Sequence, residues 1–209
     1  MPDRIVRHAG IDRLIHWVFA VCVLVLLATA FLPILGVEFG WVRIHWWTGF
    51  VLVAAVIVHV ARSLFQKPLR AVWIGFRDLR DAMQVARVSL GVSSGSLPKS
   101  GKFSFAQKLI HAAFAIVILS ASVSGAIMMA KVDTPWWQRD PYLLSDEAWG
   151  MVYFVHGLSA LMLITMVMTH VYFALRPEKG SFLRAMLVGW ITRAEYEHVH
   201  DPERWRVNE

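Results

Sequence analysis

Hydrophobic residues run along this chain in four long stretches separated by polar segments, and the lengths of those stretches decide the class of fold. Ile15 to Leu35, Ile44 to Phe65, Leu109 to Ala130 and Ala148 to Leu175 hold 21, 22, 22 and 28 residues. About 20 apolar residues suffice for a helix to cross the hydrocarbon core of a bilayer. The pattern therefore predicts an all-α integral membrane protein, a four-transmembrane-helix bundle forming one domain over residues 1–209. The first stretch exceeds the apolar region of a cleavable signal peptide, and no small-residue cleavage site follows it, so it is expected to stay in the membrane.

The polar segments set the topology. Residues 66–108 carry eight Lys and Arg against two acids, whereas residues 131–147 carry two against four. By the positive-inside rule the 66–108 loop lies in the cytoplasm. The amino-terminal Arg4, Arg7 and Arg13 and the later Arg176, Lys179, Arg184 and Arg193 fall on the same side, so both termini are expected to be cytoplasmic. The linkers 36–43 and 131–147 then face the periplasm, or the equivalent outer compartment. Trp136, Trp137 and Tyr142 of the second linker suit the interface, where amphipathic rings prefer to sit.

Inside the cytoplasmic loop, Pro68 stands where a helix would start, and Leu69, Val72, Trp73, Phe76, Leu79 and Met83 recur at three-to-four spacing. This predicts an amphipathic helix over 68–90, lying on lipid. "GVSSGSLPKSGK" reads as a turn-rich linker into the third span. Composition agrees with a membrane, since 57% of residues are hydrophobic and 17% charged, against roughly 25% charged in soluble domains. The net charge of +6 follows from the basic cytoplasmic loops and does not call for a nucleic-acid partner. A single cysteine, Cys22, excludes an intrachain disulfide and a cysteine metal site and reads as a packing residue.

The histidines change the picture. His45 and His59 flank the second span and His156 and His170 the fourth, each pair fourteen residues apart. On a helix that spacing turns about 1400° and rises about 21 Å, so both members share one face. The echo "HWWTGFVLVAAVIVHV" and "HGLSALMLITMVMTHV" runs on parallel helices, and His16 lies near the inner edge of the first span. Imidazole nitrogens are costly in hydrocarbon and usually serve a site or a pathway. Zinc or copper gathers three or four ligands within a few ångströms, whereas these residues fall into two layers. Two ligands per layer suit haem iron, whose porphyrin leaves two axial positions, held between the helices of a bundle. Gly49, Gly125, Gly157, Ser159 and Ala160 near the histidines leave room for a macrocycle or favour close helix packing. Arg62 reads as snorkelling to the interface, the alternative being a pairing with a haem propionate.

"RIVRHAGIDRLIHW", "RIHWWTGF", "SFAQK" and above all "HGLSALMLITMVMTHVYFA" resemble the cytochrome b, or gamma, subunit of membrane-bound formate dehydrogenases, within the bacterial cytochrome b561 and hydrogenase cytochrome b group. The resemblance covers most of the chain. It implies two haem b groups, the outer held by His45 and His156 and the inner by His16 and His170, with quinone beside the inner haem. The family's Asn-x-Gly-Gln motif falls on Ser104, Ala106 and Gln107, of which Gln107 alone is retained. Ser104, Gln107, Lys108 and His111 are the candidate quinone contacts. His59 departs from the family and is an alternative ligand: it permits pairing with His170, as in the cytochrome b of quinol-cytochrome c complexes.

The resemblance implies an electron-transfer, quinone-reducing anchor without a primary substrate site, carrying electrons from periplasmic catalytic and iron-sulfur subunits of a molybdenum or tungsten enzyme to menaquinone or ubiquinone. Two other readings stand beside it. One is a stand-alone cytochrome b561-type quinone oxidoreductase; the other is a haem-free transporter or scaffold with a histidine proton relay. "EHVHD", with His198 and His200, reads as a solvated tail rather than a metal site.

Overall fold

The computed structural model describes residues 3–66 and 72–207. Along these residues the order is β1 (Arg4–Val6), α1 (Gly10–Phe31), α2 (Trp41–Gln66), α3 (Phe76–Ser89), α4 (Phe105–Met128), α5 (Asp146–Leu175), α6 (Gly180–Val188), β2 (Trp190–Thr192) and α7 (Arg193–Val199). The helices α1, α2, α4 and α5 are long and apolar enough to cross a membrane. The protein is an all-α membrane bundle, as the hydrophobic pattern predicts. Val51, Ile57, Phe154 and Met168 stand exposed on these helices, a surface that costs free energy in water but not against lipid tails.

Helix ends depart from the apolar stretches for local reasons. α1 stops at Phe31, short of Leu35, because Pro33 cannot continue the ladder and Gly36 turns the chain at φ +85°. α4 begins at Phe105, four residues ahead of the apolar stretch. There Ser104 N–H donates to Gln107 Oε1 at 2.9 Å and Gln107 N–H to Ser104 Oγ at 3.4 Å, a reciprocal capping box. α5 begins at Asp146, where Ser145 Oγ accepts the Ala148 N–H at 3.3 Å.

Two compact units divide the chain. Residues 14–62 and 114–172 form the first, whose buried core takes Cys22, Val23 and Leu27 from α1, Leu52 from α2, Val117 and Ile118 from α4 and Leu163 from α5. Cys22 is thus a packing residue. The buried hydroxyls of Thr29, Ser124 and Ser159 donate to carbonyls four residues back, Val25, Ser120 and Val155. In an apolar interior that satisfies their protons within their own helices.

The second unit comprises the described parts of residues 1–13, 63–113 and 173–209. β1 and β2 pair antiparallel with Ile5 opposite Ile191, two strands too short for any alternation to announce them. Ile5, Ala185, Ile191 and Tyr196 form a small buried core. Gly189 adopts φ +96°, and a Cβ there would lie 3.0 Å from the His8 carbonyl. Only glycine fits this turn, whose carbonyl accepts the N–H of Arg7 at 2.9 Å and of His8 at 3.1 Å.

The loop helix is shorter than its periodicity suggests. α3 starts at Phe76 and not at residue 68, because extended Gly75 donates its N–H to Asp78 Oδ2 at 2.8 Å and so fixes the first turn. Val72 and Trp73 precede the helix, while Pro68 and Leu69 lie outside the described residues. Asp78 accepts two bonds from Lys108 Nζ, at 2.9 and 3.0 Å.

The carboxy-terminal segment is not a solvated tail. His198 is exposed, but His200 is 1% exposed, and so is Arg7. His200 Nδ1–H donates to Gly101 O at 2.7 Å, and its Nε2 accepts from Arg7 Nη1 at 2.6 Å. The ring is therefore neutral in the folded chain. Burial, reinforced by the Arg7 charge, holds its pKa below the ordinary histidine value despite carbonyl acceptors that act the other way. Burial likewise pushes the Arg7 guanidinium down to about 10.

Because the folded state disfavours protonated His200, the stability it contributes is complete above a pH of about 6.5 and is lost as pH falls below it. Hydrogen exchange of the β1 and β2 amides, corrected for intrinsic rate, is expected to quicken on going from about pH 7 to pH 5. His200→Phe should abolish that dependence. Asp78 and Glu195 do not overlap with this window. Burial acts upward on both, but hydrogen bonds from Gly75 and Lys108, and from Thr192 and Arg184, hold both below their usual range, so their contribution persists until about pH 4.

Candidate functional site

α5 carries His156 and His170 fourteen residues apart, a rise of about 21 Å, and each faces a histidine of another helix. His45 of α2 lies opposite His156 with ring centres 6.2 Å apart. His16 of α1 lies opposite His170 at 6.3 Å. An imidazole nitrogen lies roughly 1.1 Å from its ring centre and bonds a metal at about 2.0–2.1 Å, so two rings on opposite sides of one ion have centres about 6.3 Å apart. Each pair is spaced so that its two imidazoles could hold one metal ion between them.

The hydrogen bonds of the first pair select the tautomer such ligation needs. Thr29 Oγ spends its proton on the Val25 carbonyl at 2.8 Å and lies 2.8 Å from His45 Nδ1; it is therefore the acceptor of an Nδ1–H. His156 Nδ1 meets Ser124 Oγ at 3.0 Å and the Ala121 carbonyl at 3.1 Å, and the carbonyl can only accept. With the proton on Nδ1 in both rings, each Nε2 keeps its lone pair for a metal. A Cβ at Gly125 would lie 3.1 Å from His156 Cε1, so the glycine lets α4 close against the ring. At Gly49 and Gly157 an added Cβ meets nothing within 4 Å.

In the second pair His170 also takes an edge-on contact from Phe114, ring centres 5.9 Å apart, and His16 one from Trp17 at 5.4 Å. His59 packs edge-on against Phe19 of α1 at 5.7 Å. Among the proposed quinone residues, Ser104 and Gln107 are joined in the capping box of α4, and Lys108 bonds Asp78 and the Trp73 carbonyl, the latter at 3.0 Å. His111 is exposed one turn beyond Gln107 on the same helix. Near the first pair, Trp46, Trp47, Phe50, Trp136 and Trp137 form a cluster of rings with centres 4.5–6.3 Å apart.

Reading the sequence overlooked Thr29 and Ser124. Their signal was present, a hydroxyl in the last third of an apolar span, but serine and threonine bond their own helix so readily that nothing marked these two until their neighbours were known.

A family model described as prokaryotic cytochrome b561 matches residues 7–189. The formate dehydrogenase cytochrome b556(fdo) subunit of Escherichia coli (strain K12) is 28% identical over 217 residues, covering 97% of this chain and 92% of that protein. The formate dehydrogenase cytochrome b556 subunit of Haemophilus influenzae is 26% identical over 216 residues, covering 97% of this chain and 82% of its own length. With a family match that runs from the clasp at Arg7 to the turn at Gly189 and encloses both histidine pairs, the chain belongs to the prokaryotic cytochrome b561 family and is a membrane cytochrome b that transfers electrons through haem b.

Proposed function

We propose that the chain is the dihaem membrane anchor of a respiratory oxidoreductase, a single domain of the bacterial inner membrane with both termini in the cytoplasm. It carries electrons from a periplasmic formate dehydrogenase-like molybdenum or tungsten enzyme, through that enzyme's iron-sulfur subunit, to menaquinone or ubiquinone. The observation that carries this reading is the pair of facing histidine couples, each spaced so that two imidazoles could hold one ion between them. The names of the curated relatives support the choice of partner.

Haem supplies a one-electron couple whose potential the axial ligands and burial tune. The residues of the chain do the rest. His45 and His156 would hold the outer group, with Thr29 and Ser124 fixing their tautomers; His16 and His170 would hold the inner one, with Phe114 bracing His170. Ser104, Gln107, Lys108 and His111 border the quinone, where His111, exposed one turn beyond the cap, is the group that hands over a proton. His59 serves as a neighbour of the inner group through its contact with Phe19.

A pyridine haemochrome assay with electron paramagnetic resonance on the purified chain tests this. Two haem b per chain, both low-spin with two imidazoles, is the expected result; a chain without haem would sink the reading and favour a histidine proton relay. A second reading, a stand-alone quinone oxidoreductase, draws on the family description itself. Gentle detergent extraction separates the two, since an anchor leaves the membrane with catalytic and iron-sulfur subunits attached.

A further inference from the structure

Of the three arginines of α3, Arg80 and Arg87 lie on a different side from Asp78 and Asp81, whereas Arg77 lies near Asp81. Asp78 and Asp81 point to the body of their unit, where Asp78 is held by Lys108 and Asp81 by Arg204 at 2.6 Å. With 100° per residue, Phe76, Leu79 and Met83 fall within about 60° of one another and more than about 90° from Asp78. These three are exposed, Phe76 to 95%. Arg80 and Arg87, seven residues or about two turns apart, border that apolar stripe side by side. Neither pairs with an acid among the described residues.

The chain beyond α3 folds back to make a groove of these arginines. Gly91 turns at φ +71°, and the N–H groups of Val92 and Ser93 return to the Arg87 carbonyl at 2.9 and 3.3 Å. Gln84 Nε2 then donates to the Ser96 carbonyl at 2.9 Å, fastening the returning strand beside the helix. The result is a cleft of about 280 Å³ lined by Arg80, Met83, Gln84, Arg87 and Ser93.

We infer that this cleft binds the phosphate of an anionic phospholipid headgroup, with the acyl chains lying along Phe76, Leu79 and Met83. Two guanidiniums and a hydroxyl provide charge and donors for a phosphate diester. The adjoining exposed apolar stripe, on a helix linking two membrane spans in sequence, provides what a soluble anion would not need. Charge complementarity favours a phosphate, and the apolar stripe favours lipid over a free one.

Native mass spectrometry of the full haem-loaded chain, released from micelles holding phosphatidylglycerol or phosphatidylcholine, tests the inference. The wild type should retain phosphatidylglycerol preferentially. R80Q/R87Q should weaken that preference about 25-fold, at about fivefold for each cation near an anionic lipid surface. R80K/R87K, which keeps the charge, should retain most of it. An unchanged haem spectrum and unchanged exchange at the β1 and β2 amides certify that the variants are folded. Equal phosphatidylglycerol retention by R80Q/R87Q and wild type would overturn the inference. So would displacement of the lipid by an equal concentration of soluble glycerol phosphate, which would mark a site for free anions.

Discussion

His45→Ala and Gly125→Leu are each expected to cost the purified chain one of its two proposed haems, and the same one. His45→Ala deletes one of the two imidazoles facing across 6.2 Å and leaves Thr29 without its donor. Gly125→Leu deletes no ligand. Even its Cβ would stand 3.1 Å from His156 Cε1, and the branch beyond it occupies space the ring now fills. Helix packing of this density admits an extra side chain only by displacing a neighbour, and here the neighbour is the proposed ligand, held by Ser124 and the Ala121 carbonyl. Haemochrome stoichiometry with redox titration checks both variants, since the surviving haem should keep a single, common midpoint potential. His59→Ala is the contrast and should retain both groups. Loss of a haem in His59→Ala, with His16→Ala keeping two, would instead show that α2 and α5 provide all four ligands.

Arg7→Met should open the clasp between the two ends of the chain by about 3 kcal/mol, the cost of stranding buried acceptors that a charged donor had satisfied. Arg7 donates to His200 Nε2 and, at 2.8 Å, to the Lys102 carbonyl, and its guanidinium lies 4.6 Å from the centre of the Phe182 ring. Methionine preserves much of the contact with Phe182 but supplies no N–H. Exchange at the β1 and β2 amides should quicken about 150-fold, by conversion of that free energy at 1.4 kcal/mol per factor of ten. Adding His200→Phe should recover part of the loss, because a buried polar network replaced on both sides by apolar groups is far less costly than one broken on one side. If the single variant exchanges like the wild type, the clasp is held by β-pairing and the small apolar core alone.

Much of this was legible in the chain because membrane helices announce themselves by length, and their histidines by being out of place. The four spans follow from apolar runs, and the matched His-x13-His spacing on α2 and α5 locates two layers before any contact is known. The choice of partner for each histidine depends on which helices touch, and neighbour identity is not written in periodicity. That is why His16 and His59 stood as rivals in the sequence, while the structure brings the His16 and His170 rings to 6.3 Å. Thr29 and Ser124 escaped for the same reason. The loop helix was drawn too long because Val72 and Trp73 continue its spacing by coincidence, whereas the Gly75–Asp78 bond sets its start. The burial of His200 is not legible in the sequence, because a polar, charged segment looks solvated unless the buried Arg7 that bonds it is known.

The rise between the two histidine layers has an energetic meaning of its own. About 21 Å along α5 is roughly two-thirds of a hydrocarbon core about 30 Å thick. A whole elementary charge crossing the full core works with or against about 2.3 kcal/mol for every 100 mV of membrane potential. In the proposed dihaem anchor an electron passing between the layers would therefore exchange about 1.6 kcal/mol with the same potential. On the proposed dihaem reading, fourteen residues of helix would set the voltage sensitivity of the electron step, and the equilibrium between the layers in an energised cell should differ from that in detergent by about 15-fold per 100 mV.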